Sequence, residues 1–417
     1  MLLPRMVRVS QDFPSRALPD VGASVRAALS GAGLNSSVVK GGRYAITAGS
    51  RGIANIAVII RAIADAVKEA GGTPFVVPAM GSHGGATAEG QRQMIEGFGI
   101  TEGFVGAPIL SSMEVVEVAR TESGVTCYMD RNAYEADGVI LCGRIKPHTD
   151  FKAPVESGLL KMLVIGLGKH AQAQTIHSYG SRGLRELIPA VAEKLLATGK
   201  VIGGLAIVED AYDKTALVEW LRPEAMYTRE QELLKVASKE MARLPLDDID
   251  LLIVDRIGKN ISGTGMDTNV IGRLMIKGEP DPGKPSIKYI AALSLTEESH
   301  GNALGIGLAD VTTKRLADAI DFKAMNENVI TTSFLGRGSL PVVLATDKEA
   351  VETALKCLWG VKPEEAKVVR ITDTAHLSEL LVSEAALPML PPHARPVGQP
   401  HELAFDEDGS IAPFERY

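Results

Sequence analysis

Short apolar runs closed by glycine, proline or polar turns alternate along this chain with longer segments of helical period. RYAITA (43–48) precedes a helix over Ile53–Ala70 that stops at Gly71-Gly72, and TPFVVPAM (73–80) precedes a helix over Thr87–Phe98. DGVILCGRI (137–145) and VIGGLAIVED (201–210) lie on either side of a helix over Ser181–Thr198. MEVVEVAR (113–120) and VTCYMD (125–130), joined by Glu122-Ser123-Gly124, read as an inserted hairpin. Continuous apolar strands must be buried on both faces, a condition met by parallel sheets with helices on either side.

A second block of the same kind opens at DIDLLIVDRIG (248–258). It continues with KYIAALSL (288–295), a helix near Thr312–Ile320, PVVLATD (341–347), a helix over Lys348–Trp359 and KVVRITD (367–373). The charged stretch 211–247 reads as a helical connector. A chain of 417 residues exceeds one ordinary core. The expectation is therefore α/β with two domains and mostly parallel sheets, spanning 1–245 and 246–387. The tail 388–417 is proline-rich and extended, and can pack back on the first domain.

A net charge of −7, with no run of basic residues, argues against a nucleic-acid or anionic-membrane partner. No apolar stretch approaches the roughly 18 residues of a membrane span. The apolar patch at the N-terminus is too short for a signal-peptide core. Cys127, Cys142 and Cys357 form neither a disulfide framework nor a zinc motif, which fits a reducing compartment. A cytoplasmic protein is expected.

Ligands of open parallel sheets bind beyond the carboxyl ends of the strands, so the loops following each strand carry the information. TAGSRG (47–52), MGSHGG (80–85) and GRIKPHTDFKAPVESG (143–158) bring Arg51, His83 and His148 to one edge of one sheet. The Gly-Ser-Arg-Gly turn offers backbone N–H groups and a guanidinium, suited to a carboxylate or phosphate. The other reading of Arg51 is a surface residue at a helix start. His83 stands among glycines that allow close approach of a ligand, or in a flexible turn that merely contains a histidine. His148 ends a strand, and its imidazole can take a proton from a hydroxyl near neutral pH. Lys161, in the apolar segment SGLLKMLVIGLG (157–168), must snorkel, pair or be covalently modified. His177 is a metal ligand or a satisfied loop histidine. There is no GxxxxGK[ST] phosphate loop, no HExxH, no GxSxG and no full GxGxxG, so an ordinary nicotinamide dehydrogenase is not indicated.

The ordered set Arg51, His83, His148, Ser157-Gly158-x-x-Lys161 and His177 resembles the nickel-dependent lactate racemases, over most of residues 40–180. The sixteen-residue interval from Lys161 to His177 matches the family's spacing. The resemblance implies two α/β domains with the active site in the cleft between them. It implies a nickel pincer nucleotide, pyridinium-3-thioamide-5-thiocarboxylate mononucleotide, whose carbon and two sulfurs hold the metal. Lys161 would carry this cofactor through a thioamide, with Ser50, Ser157 and Gly158 against it, and His177 would ligate nickel. His83 and His148 would be paired acid/base residues, and Arg51 would hold the carboxylate of a small 2-hydroxy acid.

There are departures from the family pattern. The usual Asp-x-Thr-Arg-Pro appears as Ala48-Gly49-Ser50-Arg51-Gly52, and Ser-Gly-Gly-Arg-Lys as Ser157-Gly158-Leu159-Leu160-Lys161. In GTGMDTNVIGR (263–273) the family's following Gln and Lys are missing, and Arg273 is taken as their substitute near the substrate. The changes point to a hydroxy acid other than lactate. The function expected is a pincer-dependent 2-hydroxyacid racemase or epimerase, with the enzymes of pincer-cofactor biosynthesis as partners. The alternatives are an oxidoreductase using the same cofactor and a non-catalytic nickel- or cofactor-binding protein.

Overall fold

The computed structural model describes residues 2–31, 33–50 and 52–414. Strand β1 (Arg5–Gln11) opens the chain. There follow helix α1 (Val21–Gly31), β2 (Arg43–Ala48), α2 (Ile56–Glu69), β3 (Thr73–Pro78), α3 (Ala88–Gly97), β4 (Val115–Arg120), β5 (Thr126–Asp130) and β6 (Gly138–Arg144). Next come α4 (Lys169–His177), α5 (Ile188–Leu196), β7 (Val201–Glu209), β8 (Thr215–Leu221) and α6 (Met226–Glu240). The remainder contains β9 (Asp248–Val254), β10 (Ser286–Ala292), β11 (Val311–Thr313), α7 (Phe322–Thr332), β12 (Val342–Leu344), α8 (Asp347–Lys356), β13 (Val368–Ile371), β14 (Glu379–Ser383) and β15 (Ala394–Glu402). Among the described residues no helix is long and apolar enough to cross a membrane.

Pro14–Met241 forms one compact unit. Its sheet has the order β3-β2-β6-β7-β8 and is parallel except at β8, which runs antiparallel to β7. Successive side chains of a strand point to opposite faces, and here both faces are buried. Ala45, Phe75, Val77, Val139 and Leu141 enter one cluster, while Tyr44, Ile46, Val76, Ile140 and Cys142 enter the other. The hairpin β4–β5 lies outside this sheet. Ala48, Pro78 and Arg144 end parallel strands, so the loops that follow leave the same edge.

The other unit joins Met1–Phe13 to Ala242–Tyr417. Its sheet has the order β12-β11-β10-β9-β13-β14-β1-β15, parallel from β12 to β13 and antiparallel beyond. The division differs from the expected 1–245 and 246–387. The first strand belongs to the later unit, because it pairs with β14 on one side and β15 on the other, and its Met6, Val7 and Val9 are buried. The tail supplies β15 to that same sheet. Stretch 211–247, read as a connector, contains β8 and α6 of the earlier unit.

Because β1 is interior to its sheet, deleting residues 2–11 should expose the facing edges of β14 and β15. Hydrogen exchange is expected to lose protection over 379–402 while 43–48 and 138–144 keep theirs. Equal loss in both units would contradict this division of the chain.

Candidate functional site

Everything at the candidate site is arranged around one helical stretch that starts after Gly158. Leu159–Lys161 is α-helical, Met162–Gly166 forms a π turn, and α4 runs on to His177. Single π turns recur at functional sites because the extra residue redirects side chains locally. A Cβ placed on Gly158 would lie 2.3 Å from Glu230 Oε1, so only glycine admits this carboxylate. Glu230 comes from α6 and accepts the Leu160 N–H at 3.1 Å, capping the segment that carries Lys161. It is buried, its Oε1 has no partner among the described residues, and burial pushes its carboxyl from 4.5 to about 7.

The loop after β6 is organised by a second buried carboxylate. Glu156 accepts the His148 N–H at 2.5 Å and the Ala153 N–H at 3.2 Å, and Lys152 Nζ lies 3.4 Å away. Burial raises the carboxyl of Glu156, and the Lys152 charge opposes that rise. Ser157 exchanges backbone hydrogen bonds with Lys146, which closes the base of the loop. The His148 ring packs on Phe151, with centroids 4.6 Å apart.

The two ring nitrogens of His148 have different partners. Nδ1 accepts the Asp150 N–H at 3.0 Å, and Nε2 is hydrogen-bonded to Lys161 Nζ. A nitrogen that accepts an N–H carries no proton itself, so a neutral His148 is protonated at Nε2. Nε2–H then donates to Lys161, whose nitrogen must offer a lone pair. Both bonds are satisfied when Lys161 is a neutral amine.

On the neighbouring loops Ser50 Oγ meets His83 Nδ1 at 2.5 Å. These loops lie against the π turn. A Cβ on Gly49 would come 2.8 Å from Met162 Cε, and one on Gly81 3.0 Å from Ile165 Cγ2. Gly81 also has φ +62, in the left-handed region that favours glycine. The imidazole of His177 is pushed down chiefly by burial, against the pull of Asp150. A neutral imidazole is the form that binds a metal. Among the described residues no three His, Cys, Asp or Glu side chains converge as a metal site. Cys142 is no candidate nucleophile, since burial pushes its thiol up to about 12.

Of the residues singled out from sequence, the structure pairs Ser50 with His83 and His148 with Lys161, and brings Lys161 within electrostatic reach of His177. Arg51 lies outside the described residues. Arg273, the residue expected near the substrate, is bonded locally. It lies in the other unit, where its guanidinium donates to Asp310 at 2.8 Å and to the carbonyls of Leu308 and Ile287. These bonds to the local chain occupy it structurally. Sequence reasoning missed Glu156, Glu230, Gln91 and Lys169. One signal was readable: on α6 the buried stripe Met226, Leu233, Leu234 and Ala237 is interrupted by Glu230 on the same face.

Residues 19–183 match the model of the lactate racemase N-terminal domain. Over that stretch the chain is similar to the N-terminal domain of the lactate racemases. Its fold is similar to that of the lactate racemase apoprotein from Thermoanaerobacterium thermosaccharolyticum, with 13% identity and a TM-score of 0.53, covering 89% of this chain and 98% of that one. It is also similar to a protein from Thermotoga maritima, with 14% identity and a TM-score of 0.52, covering 87% and 99%. At such identities the likeness is one of fold. Comparison with curated proteins returned no match.

The buried cap of the helical segment gives a pH signature. The folded-state value of Glu230 lies above its unfolded one, so the stability tied to it is present below about pH 4.5 and is lost as pH rises through about 7. Glu230→Gln keeps the acceptor and removes the titration. Between pH 5 and pH 8 the variant should gain up to about 3 kcal/mol relative to wild type in denaturant melts. Parallel stability curves would contradict the buried titration.

Proposed function

We propose that this protein racemises or epimerises a small 2-hydroxy acid in the cytoplasm, using a nickel pincer nucleotide and two histidines as acid and base. The observation that carries the reading is the bond from His148 to Lys161, with His177 within electrostatic reach on the same helical stretch. A neutral amine is the form that acylating chemistry requires. A single neutral imidazole is what a metal already held by an organic ligand would need from the protein. These residues therefore fit the group that the family is known to use. Lys161 would hold it covalently, His177 would complete the metal's coordination, and Ser157 and Gly158 would lie at its edge.

When bound, the pincer nucleotide would supply a reversible hydride acceptor. The chain's own residues do the rest. One histidine takes the hydroxyl proton as the α-carbon becomes planar, and the other returns a proton when the opposite enantiomer forms. Inversion needs a base for each face, and His83 and His148 stand on separate loops at one sheet edge. Ser50 orients the His83 ring, and Glu156 fixes the backbone of His148. Arg51 is the residue proposed to hold the carboxylate. The enzymes that make the cofactor are the expected protein partners.

Co-expression with those enzymes, followed by nickel analysis and denatured mass measurement, tests the reading. About one nickel per chain with an adduct on Lys161 is expected. His83→Ala or His148→Ala should abolish inversion of a confirmed substrate while nickel is retained. Normal inversion by both variants would overturn the two-base assignment, and steady release of keto acid would indicate an oxidoreductase. Nickel without turnover of any 2-hydroxy acid would indicate a binding protein.

A further inference from the structure

Lys169 is fully buried and forms an ion pair at 3.2 Å with Asp130, which is buried as completely. Its ammonium also donates to the Pro78 carbonyl and, at 3.3 Å, to Gln91 Oε1. Its contacts thus reach the last residue of β3, the last residue of β5 and helix α3. A wholly buried ion pair adds little net stability compared with apolar side chains of similar volume. Its place here is better explained by the orientation it imposes on Gln91.

An amide can present either its oxygen or its nitrogen to a neighbour. A cation at one side removes the choice. With Oε1 on Lys169, Gln91 Nε2 must face the other way, and it donates to the Gly81 carbonyl at 2.9 Å and the His83 carbonyl at 3.2 Å. His83 is followed by Gly84 and Gly85, both at positive φ, so the loop has little stiffness of its own. Lys169 itself has φ +54 and stands between the π turn after Lys161 and the helix that ends in His177. One side chain therefore ties the His83 loop to the segment bearing the other functional residues.

We propose that Lys169 and Gln91 are positioning residues that set His83 relative to the Lys161–His177 segment, with Asp130 holding the Lys169 ammonium in place. The catalytic consequence rests on the racemase reading; the positional one does not. Gln91→Met keeps the length of the side chain and removes both N–H donors. Lys169→Met/Asp130→Asn removes the buried charges, keeps the Asp130 acceptor for the Ala133 N–H, and leaves Gln91 without its orienting cation.

Hydrogen exchange of the purified protein should be about tenfold faster over residues 81–86 in both variants, with 43–48 and 162–177 unchanged. In loaded enzyme, kcat should fall about tenfold at unchanged KM and unchanged nickel content, since displacement of a base costs rate and not binding. If the double variant fails to fold, Gln91→Met alone decides. Wild-type exchange over 81–86 in Gln91→Met overturns the proposal, as does uniform loss of protection across Pro14–Met241. A nickel-loaded wild type that inverts no hydroxy acid would sink the racemase reading and leave the exchange result to stand or fall by itself.

Discussion

An ammonium group needs hydration or acceptors that replace it, and the helix that carries Lys161 is largely apolar. Leu159, Leu160, Leu163 and Val164 are all buried around it. Lys161 itself is half-buried, and a neutral amine there needs a hydrogen-bond donor. His148 provides one through Nε2–H, but only while its other nitrogen is occupied by the Asp150 N–H. The rest of the loop follows from this requirement. Glu156 gathers the backbone that presents His148, and the Lys146–Ser157 bridge brings the chain back to the start of the same helix.

Two buried carboxylates act in this region on backbone N–H groups more than on cations. Glu156 gathers a loop, and Glu230 caps a helical segment. Burial raises the carboxyls of both and lowers the imidazole of His177, so each shift favours the uncharged form. The result is a set of polar groups whose burial favours their uncharged forms. Such surroundings strengthen whatever electrostatic interaction a bound group makes there. They suit a cofactor that brings its own charge and metal.

The parallel strands of the first sheet were legible because each is a short continuous apolar run; RYAITA, read as 43–48, is β2 with the same ends. The edge that carries Ser50, His83 and His148 followed from the parallel order alone. What could not be read was pairing across long separations. β1 looks like any N-terminal strand, and nothing local says that its neighbours are Glu379–Ser383 and Ala394–Glu402. β8 was hidden in a charged stretch, because an antiparallel edge strand tolerates polar residues such as Glu219. Lys169 illustrates a different limit. Beside the loop-borne residues it reads as one more lysine at a helix start, and only the fold reveals Asp130, Gln91 and Pro78 around it.

The local bonding of Arg273 bears on recognition. An arginine bonded to Asp310 and to two carbonyls of its own unit is spent on local structure. Under the racemase reading, the substrate carboxylate is proposed to meet the loops of the first sheet, where Gly49-Ser50-Arg51-Gly52 stands for the family's Asp-x-Thr-Arg-Pro. There Ser50 engages His83 directly, so the loop that would grip the carboxylate also orients an acid/base residue. Binding and proton transfer would be coupled through one short turn, and a substitution in it would alter specificity and rate together.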